Sequence, residues 1–516
     1  MAAPIVGSVF PRFQRIGNLA CRVWFRRGLD PPAGFIQYHD IKSSLYQHVK
    51  EGYSDMPSLP MDYVCDHVEE VCLNVEQRKG ELQSHDVRNI VTTWKNLQKV
   101  KAEVKVLEDK KTHIGQQVKS LVQRIGKESS TSSAEFEELR NRGREIRLIL
   151  MRLYESEAEL EDVFYSKALF LPNTTHPMTP VGEGCQARVV GMVGEKPEFD
   201  FQPKGHLEIG EKLGIIRQKR LSHVSGHRSY YLSGAASELE HALIHFAMVK
   251  LKKRGFVAMS VPDMIKGAVF EGCGISPNVR SSLLYKVDSD RCKDINLAGT
   301  SEVGLAGYFM DHAVKLKDLP IKIVCCSTCY RAETDNLNEP WGLYRVHHFS
   351  KVEMFGVTAA ENGTESENLL QEFVSIQKEL YSELGLHFRV MEMPTTELGL
   401  PAFQKFDVEA WMAGRKNYGE ISSASNCTDY QSRRLHIMYK DAHRVLRHVH
   451  TVNGTAVAVP RLLIAILENN QMKNGDVRIP KVLQQYLDCD VIVKPSCSPQ
   501  QYIGPNQYRR NKLREF

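Results

Sequence analysis

Charged and aromatic side chains alternate along two neighbouring β-rich runs within residues 326–355. Arg331 and Glu333 stand two apart where the first run ends, so both point to one face of the strand. The second run repeats the pattern with five alternating side chains: Arg345, His347, Phe349, Lys351 and Glu353. Such a face is too charged for ordinary core, and arginine forks match phosphate or carboxylate oxygens. A solvated surface is the alternative, but an aromatic ring among the charges favours a flat, anionic ligand.

Two further segments carry polar groups that suit a substrate or a metal ion. Thr300 and Glu302 lie in a Gly-Thr-Ser-Glu turn, which is generic when taken alone. Glu420 and Ser423 open a Ser/Asn-rich run up to Arg434, and a carboxylate with nearby hydroxyls suits Mg²⁺. In isolation, this second segment is more typical of a polar surface loop.

These segments, in this order, resemble the class II aminoacyl-tRNA synthetases, and closely the seryl enzymes. Tyr-Arg-Ala-Glu, followed by Gly-Leu-Tyr-Arg-Val-His-His-Phe-Ser-Lys-Val-Glu, is similar to motif 2 of that class. The run 453–461 resembles motif 3, a strand and helix, although Ala456 and Pro460 depart from its usual glycine-rich pattern. Proline is sterically acceptable near a helix start. The helix at 235–254 with the run 256–262 resembles motif 1, which builds the dimer interface in the family.

The resemblance, which covers roughly residues 70–490, implies the roles of individual residues. Arg331 and Arg461 are the predicted catalytic residues; the first would hold the ATP α-phosphate and the amino-acid carboxylate, the second the γ-phosphate. The predicted serine-binding residues are Thr300, Glu302, Arg331, Glu353, Asn453 and Thr455. The predicted ATP-binding residues are Arg331, Ala332, Glu333, Val346, Phe349, Glu420, Ile421, Ser422, Ser423 and Arg461. Glu420 and Ser423 would also be the ligands of Mg²⁺. The implied partners are ATP, L-serine, tRNA(Ser) and a second copy of the chain.

The N-terminal third of the chain has a different pattern from these catalytic segments. Apolar residues recur at three- and four-residue steps from Ile90 to Ile125 and again from Leu139 to Phe164, with a polar break after Gly126. This periodicity predicts an antiparallel coiled-coil hairpin over residues 76–168. A dimerisation or spacer coiled coil is about as common as an RNA-binding arm. Four arginines favour phosphate contacts of a tRNA-binding arm, although acidic residues are interleaved: Arg140, Arg142, Arg144 and Arg147.

From Leu171 onward, short β-rich runs alternate with helices, which predicts an α+β fold with an antiparallel sheet and flanking helices. The predicted strands lie at 256–262, 321–330, 347–357, 388–393 and 403–410, and the two clearest helices at 235–254 and 364–384. We assign residues 30–75 to an N-terminal region, 169–490 to the catalytic domain and 491–516 to a basic tail. No apolar stretch is long enough for a membrane span, so no membrane partner is predicted.

Residues 1–29 are typical of a mitochondrial presequence. They contain five arginines and no acid, and these arginines account for the whole formal net charge of +5. The rest of the chain is close to neutral, so binding of a polyanion requires local basic patches. The segment has only one serine, Ser8, and a disordered basic tail is the alternative. The predicted location is the mitochondrial matrix.

Three short patterns are predicted to be coincidental. His113-Ile-Gly115 is similar to a class I synthetase signature but lies inside the coiled-coil periodicity. Cys326 and Cys329 have zinc-like spacing without a second pair, so we interpret them and Cys325 as buried free thiols. The adjacent pair His347-His348 points to opposite faces of its strand.

Two other functions remain open. One is a class II synthetase for another amino acid, such as glycine or threonine, and the other is a catalytically silent paralogue that acts as a binding protein.

Overall fold

The computed structural model describes residues 43–125, 133–221, 224–279, 282–288, 293–334, 342–496 and 503–504. The predicted presequence at 1–29, most of the hairpin loop and residues 497–502 and 505–516 of the C-terminal tail lie outside these described residues. Within them, no helix combines the length and the apolar character needed to cross a membrane.

The α-helices of the described residues range in length from six residues to 42. They are α1 (Ser44–Lys50), α2 (Met61–Asp66), α3 (Val68–Arg78), α4 (Ser84–Ile125), α5 (Ala134–Ala168), α6 (His206–Leu213), α7 (Ala235–Lys253), α8 (Gly267–Gly272), α9 (Ser301–Phe309), α10 (Glu365–Glu383), α11 (Tyr430–Leu435) and α12 (Val459–Asn469). Helices α7 and α10 lie close to the two positions predicted from the sequence.

The strands are more numerous than the predicted runs. They are β1 (Arg188–Val193), β2 (Ile216–Arg217), β3 (Tyr231–Leu232), β4 (Val257–Ala258), β5 (Met264–Lys266), β6 (Ile295–Leu297), β7 (Ala313–Lys315), β8 (Ile321–Tyr330), β9 (His348–Thr358), β10 (Phe388–Glu392), β11 (Gln404–Met412), β12 (Asn417–Thr428), β13 (Met438–Lys440), β14 (Leu446–His448), β15 (His450–Ala458), β16 (Val477–Arg478) and β17 (Val491–Ile492).

A large sheet with the order β1-β10-β11-β12-β15-β9-β8-β4 organises the catalytic part of the chain. All its neighbouring strands pair antiparallel except β4 and β8, which pair parallel. The predicted α+β fold with an antiparallel sheet and flanking helices is therefore confirmed.

The two faces of this sheet pack against different helices. Val352 and Met354 on β9 belong to the hydrophobic core formed with α7, α10 and α12, whereas Phe355 and Val357 belong to the core formed with α9. Because neighbouring strand residues point to opposite faces, Lys351 and Glu353 lie on the α9 face. Phe349, which alternates with them, shares this face.

Helices α4 and α5 form the predicted antiparallel coiled-coil hairpin. At its base, Trp94 and Phe164 pack with their ring centroids 5.0 Å apart, within a core that also takes in α1, α2 and α3. Farther out, Ile114, Leu121 and Leu139 form a separate apolar cluster. The predicted segment 76–168 begins inside α3, because Lys79 adopts a left-handed backbone (φ 51°) that ends this helix before the hairpin.

Candidate active site

A cleft lies where strands β8, β9, β12 and β15 meet the first turn of α12. Its wall is formed by Arg331, Glu333, Leu343, Tyr344, Arg345, Val346, Phe349, Lys351, Glu420, Ile421, Ser422, Ser423, Thr455, Ala458, Pro460 and Arg461. Every predicted ATP-binding residue except Ala332 is in this wall. The backbone N–H of Ala332 instead donates to the carbonyl of Leu283 at 2.7 Å.

Two arginines supply the positive charge of the cleft. Arg331 follows β8, and its guanidinium lies 5.3 Å from the centroid of the Phe349 ring. Arg461 lies in the first turn of α12 and contacts Oε2 of Glu420 through Nη1 at 2.9 Å. Burial would lower the pKa of Arg461, but Glu420 outweighs burial and raises it, so this guanidinium stays charged.

Tyr344 holds several groups of the cleft together. The guanidinium of Arg461 lies 4.6 Å from the centroid of the Tyr344 ring, and the guanidinium of Arg415 lies 4.3 Å from the same centroid. The Tyr344 hydroxyl accepts the backbone N–H of Glu420 at 2.9 Å. This tyrosine, which the sequence reasoning did not single out, therefore positions both Arg461 and the strand that carries Glu420.

Glu420 is the ionised carboxylate of the cleft. Burial would raise its pKa, but Arg461 and Lys405 lower it, and the pKa is held at about 2. Ser423 shares the cleft wall with Glu420, whereas the Ser422 hydroxyl donates to the carbonyl of Thr455 at 2.6 Å. Among the described residues, no group of three or more His, Cys, Asp or Glu side chains could hold a metal ion. One carboxylate and one hydroxyl suit Mg²⁺, which fills its remaining positions with water and substrate phosphates.

A second polar pocket adjoins the cleft at Lys351 and Thr455. Nζ of Lys351 donates to the Thr300 hydroxyl at 2.9 Å and lies 2.6 Å from Oε2 of Glu353. The Thr455 hydroxyl donates to the same carboxylate at 3.1 Å. Both charges of the Lys351–Glu353 pair are buried, so each stabilises the other inside the protein.

Glu302 completes this pocket from the first turn of α9. Its Oε1 accepts hydrogen bonds from the amides of Asn453 and Gln431, both at 2.7 Å. Burial raises the pKa of Glu302 to about 7, and the nearby Glu353 carboxylate adds to the shift. The structure therefore joins most of the predicted serine-binding residues in one hydrogen-bond network: Thr300, Glu302, Glu353, Asn453 and Thr455. The remaining one, Arg331, lies in the wall of the cleft.

Lys351 and Gln431 belong to this network but were not predicted as site residues. Lys351 alternates with Phe349 and Glu353 in the sequence, so this pattern could have predicted it as a site residue. Gln431 had no such signal, since its contact with Glu302 joins residues far apart in the chain.

Residues 420–434, which in isolation are more typical of a polar surface loop, form most of a buried strand and helix α11. Strand β12 covers Asn417–Thr428, and Ser422, Ser425 and Asn426 are buried within it. The Ser422 hydroxyl donates to the carbonyl of Thr455 on β15, and the Asn426 amide donates to the hydroxyl of Ser366 on α10 at 3.0 Å. The strand therefore has no need of an apolar sequence.

The predicted coincidental patterns behave as expected. His113-Ile-Gly115 lies within α4. Cys325 and Cys329 are buried and Cys326 is half-buried, and all three are free thiols. His347 and His348 diverge: Nδ1 of His347 lies 2.8 Å from the Tyr285 hydroxyl, while His348 stacks on Tyr230.

The four arginines of the predicted tRNA-binding arm are exposed on α5. Helical spacing places Arg140, Arg144 and Arg147 on one face, because they are separated by four and three residues. Arg142 lies on a different face. A surface that follows one side of the helix could therefore contact three of the four.

Comparisons with known proteins agree with this geometry. The family model described as "tRNA synthetase class II core domain (G, H, P, S and T)" matches residues 285–470. A protein of Mus musculus named serine–tRNA ligase, mitochondrial, is 56% identical over 485 residues, which cover 94% of this chain and 93% of the relative. Its namesake of Bos taurus is 54% identical over 518 residues and covers 99% of both chains.

A solved structure agrees as well. The crystal structure of seryl-tRNA synthetase from Pyrococcus horikoshii, complexed with ATP, superposes with a TM-score of 0.76 at 31% identity. The match covers 85% of this chain and all of that one. The chain therefore belongs to the serine–tRNA ligase family of the class II aminoacyl-tRNA synthetases.

Proposed function

We propose that this protein activates L-serine with ATP and transfers the seryl group to tRNA(Ser) in the mitochondrial matrix. The observation that carries the proposal is that the two groups of site residues are contiguous: Lys351 and Thr455, which share the cleft wall with Arg331 and Arg461, contact Glu353 of the buried polar network. A triphosphate and an amino acid would thus lie side by side.

The first step joins the two substrates. A serine carboxylate oxygen attacks the α-phosphorus of ATP, the bond to the β-phosphate breaks, and pyrophosphate leaves with its electron pair. Arg331, next to Phe349, would hold the α-phosphate and the serine carboxylate while adenine lies near the ring. Arg461 would neutralise charge on the γ-phosphate. These contacts lower the barrier by positioning and by charge stabilisation.

In the second step, a terminal ribose hydroxyl of the tRNA attacks the carbonyl of seryl-adenylate, and AMP leaves. Ala332, Glu333, Val346, Ile421 and Ser422 would hold the nucleotide during both steps.

Glu420 and Ser423 would hold Mg²⁺ at the cleft. When bound, the ion supplies additional positive charge for the phosphate oxygens. Because the low pKa of Glu420 keeps this carboxylate ionised, it is suited to exchange its contact with Arg461 for a metal ion.

The buried pocket has groups suited to serine. Two carboxylates, Glu302 and Glu353, face a single cation, Lys351, which leaves one negative charge for the substrate ammonium. The hydroxyls of Thr300 and Thr455 and the amide of Asn453 offer hydrogen bonds to the serine hydroxyl. Alanine or glycine would leave such buried groups unpaired, which disfavours these amino acids.

A second copy of the chain would bind at motif 1. Exposed apolar side chains lie on or near this region: Val257 on β4 is 60% exposed, and Met264 on β5 is 56% exposed. A second copy packed at motif 1 would cover these side chains. The hairpin of α4 and α5 would bind the tRNA through Arg140, Arg144 and Arg147, with Arg142 on the neighbouring face.

The mitochondrial location rests on two observations. Residues 1–29 have the composition of a presequence, and the two mammalian relatives carry the word mitochondrial in their names. Import of a fluorescent fusion into mitochondria, and its loss when residues 1–29 are deleted, would support this part of the proposal.

Aminoacylation of mitochondrial and cytosolic serine tRNAs tests the reaction, the amino acid and the compartment together. We expect charging with serine and a preference for the mitochondrial tRNA. A parallel ATP–pyrophosphate exchange assay with serine, threonine and glycine separates the alternatives. Exchange stimulated only by another amino acid would contradict the serine assignment, and absence of any exchange would establish a silent paralogue.

A further inference from the structure

The residues that lead from the hairpin into the catalytic part, 169–175, are called here the junction segment. Arg434 of α11 is buried and donates through Nη2 to the carbonyls of Leu169, at 3.3 Å, and Leu171, at 3.0 Å. Its guanidinium also lies 3.5 Å from the centroid of the Tyr430 ring. One end of α11 is therefore fastened to the base of the hairpin.

A second buried arginine holds the rest of the junction segment. Arg78, at the end of α3, donates through Nη2 to the carbonyls of Asn173, at 3.0 Å, and Thr174, at 2.8 Å. It donates through Nη1 to the carbonyl of Gly399 at 2.8 Å. Arg78 thus fastens the segment to a loop that is separate from α11.

In the described part of the chain, neither guanidinium forms an ion pair or a hydrogen bond with a carboxylate. Burial lowers the pKa of both, and that of Arg78 reaches about 10. A buried cation without a carboxylate partner in contact is costly, and neutral groups offset this cost: backbone carbonyls for both arginines, the side chains of Asn74 and Thr175 for Arg78, and the Tyr430 ring for Arg434. Each arginine therefore constrains the junction segment more strictly than an exposed side chain would.

The other contact of α11 reaches the pocket of the active site. Gln431, one turn before Arg434, is fully buried and donates to Oε1 of Glu302 at 2.7 Å. Its own amide oxygen accepts the Thr451 hydroxyl at 2.7 Å. A single helix turn thus joins the junction segment to the carboxylate that is proposed to bind the serine ammonium.

We propose that Arg434 is a positioning residue for serine: it fixes α11 on the junction segment, so that Gln431 holds Glu302 in the orientation that binds the substrate ammonium. The inference rests on the proposed function, because it takes the pocket of Glu302 to be the serine site. The hairpin base then sets the geometry of the amino-acid pocket, and Arg434 acts without touching the substrate.

The test is the split between the KM values for serine and ATP in pyrophosphate exchange. Arg434→Met removes the guanidinium group and puts an unbranched apolar side chain in its place. We expect the KM for serine to rise about 10-fold, because a misplaced buried hydrogen bond weakens binding, while the KM for ATP changes by less than about twofold. Arg434→Lys, which keeps the charge but has no fork, should give an intermediate rise.

Arg78→Met is the matched control. It removes a buried arginine from the same junction segment, and should lower the melting temperature as Arg434→Met does, without changing the KM for serine. An equal rise in the KM for serine in the Arg78 variant would overturn the proposal, because the effect would then be general destabilisation.

A double variant tests whether the two α11 residues act in series. Gln431→Met alone should raise the KM for serine, and adding Arg434→Met should raise it no further. The inference would be overturned if the two substitutions multiplied each other's effect on the KM for serine, or if Arg434→Met left this KM unchanged. In either case, exchange with serine by the wild-type protein would still support the proposed function. If the wild-type protein shows no serine-dependent exchange, the proposed function fails and the inference with it.

Discussion

Three carboxylates of the active site contact different kinds of groups. Glu420 contacts the Arg461 guanidinium, and Glu353 contacts the Lys351 ammonium. Glu302 accepts hydrogen bonds from two neutral amides instead. Its pKa of about 7 makes it the carboxylate of this pocket whose charge changes near neutral pH.

This difference predicts how serine use depends on pH. Below its pKa of about 7, Glu302 is protonated and cannot offer a full negative charge to the substrate ammonium. We therefore expect kcat/KM for serine to rise as the pH increases through about 7 and then to level off. The measurement is pyrophosphate exchange as a function of pH at saturating ATP.

Glu302→Gln keeps the shape of the side chain and removes its titration. We expect kcat/KM for serine to fall by about 10- to 100-fold above neutral pH, since a charge-assisted contact is lost. The rise with pH should disappear. If the variant keeps the wild-type pH profile, another group is responsible for it.

Arg331→Ala removes the cation that is placed beside Phe349. We expect adenylate formation to decrease by about 100-fold or more, as for the loss of a group that stabilises charge in the transition state. The melting temperature should stay close to that of the wild type, because the guanidinium of Arg331 lies against the cleft rather than in the core.

Arg389→Ala is a suitable comparison for this variant. Arg389 lies on β10 of the same sheet and pairs with Glu409 at 2.7 Å, outside the cleft wall. Its loss should leave exchange near the wild-type rate. Equal losses in both variants would show that the sheet tolerates no arginine deletion and would remove the support for Arg331.

At the scale of elements, the hairpin and the catalytic sheet have separate apolar cores. The outer cluster of Ile114, Leu121 and Leu139 is distinct from the cores on the two faces of the sheet. Since a core holds its own elements together, changes in the outer hairpin should not reach the adenylate site.

Replacing residues 109–153 of the outer hairpin by a short turn, which leaves the base of the hairpin in place, tests this separation. We expect the shortened protein to form seryl-adenylate at a rate close to that of the wild type and to aminoacylate tRNA poorly, because the proposed tRNA contacts are lost. Exchange and aminoacylation assays on one preparation make the comparison. Near-normal aminoacylation would contradict the assignment of the hairpin as a tRNA-binding arm.

At the scale of the whole molecule, the chain has little net charge to attract a polyanion. The five arginines of residues 1–29 account for its formal charge, so a mature chain without them would be nearly neutral. Binding of tRNA would then depend on local groups such as the exposed arginines of α5, and should weaken with added salt.

The proposed dimer gives a test at the same scale. Light scattering should report about twice the mass of one chain. Val257→Glu, at a 60% exposed position of the motif 1 strand, should shift the protein toward monomers, because a charge is costly in an apolar interface. Val106→Glu, at a 52% exposed position of the hairpin, is the control and should leave the mass unchanged. A wild-type monomer would contradict the proposed dimer.

The sequence alone was sufficient for the features that depend on local order. Strand β8 begins and ends where it was predicted, and the two hairpin helices follow the apolar periodicity, because both signals are set by neighbours a few residues apart. The alternation on β9 likewise placed Phe349 and Glu353 on one face.

The tertiary structure decided what depends on distant partners. Strand β12 escaped prediction because its buried serines and asparagine find hydrogen bonds on other strands and helices, so no apolar period marks it. The contact of Lys351 with Thr300, and the contact of Gln431 with Glu302, arise only when separate elements meet. Sequence spacing cannot show such contacts, since they join residues that only the packed fold brings together.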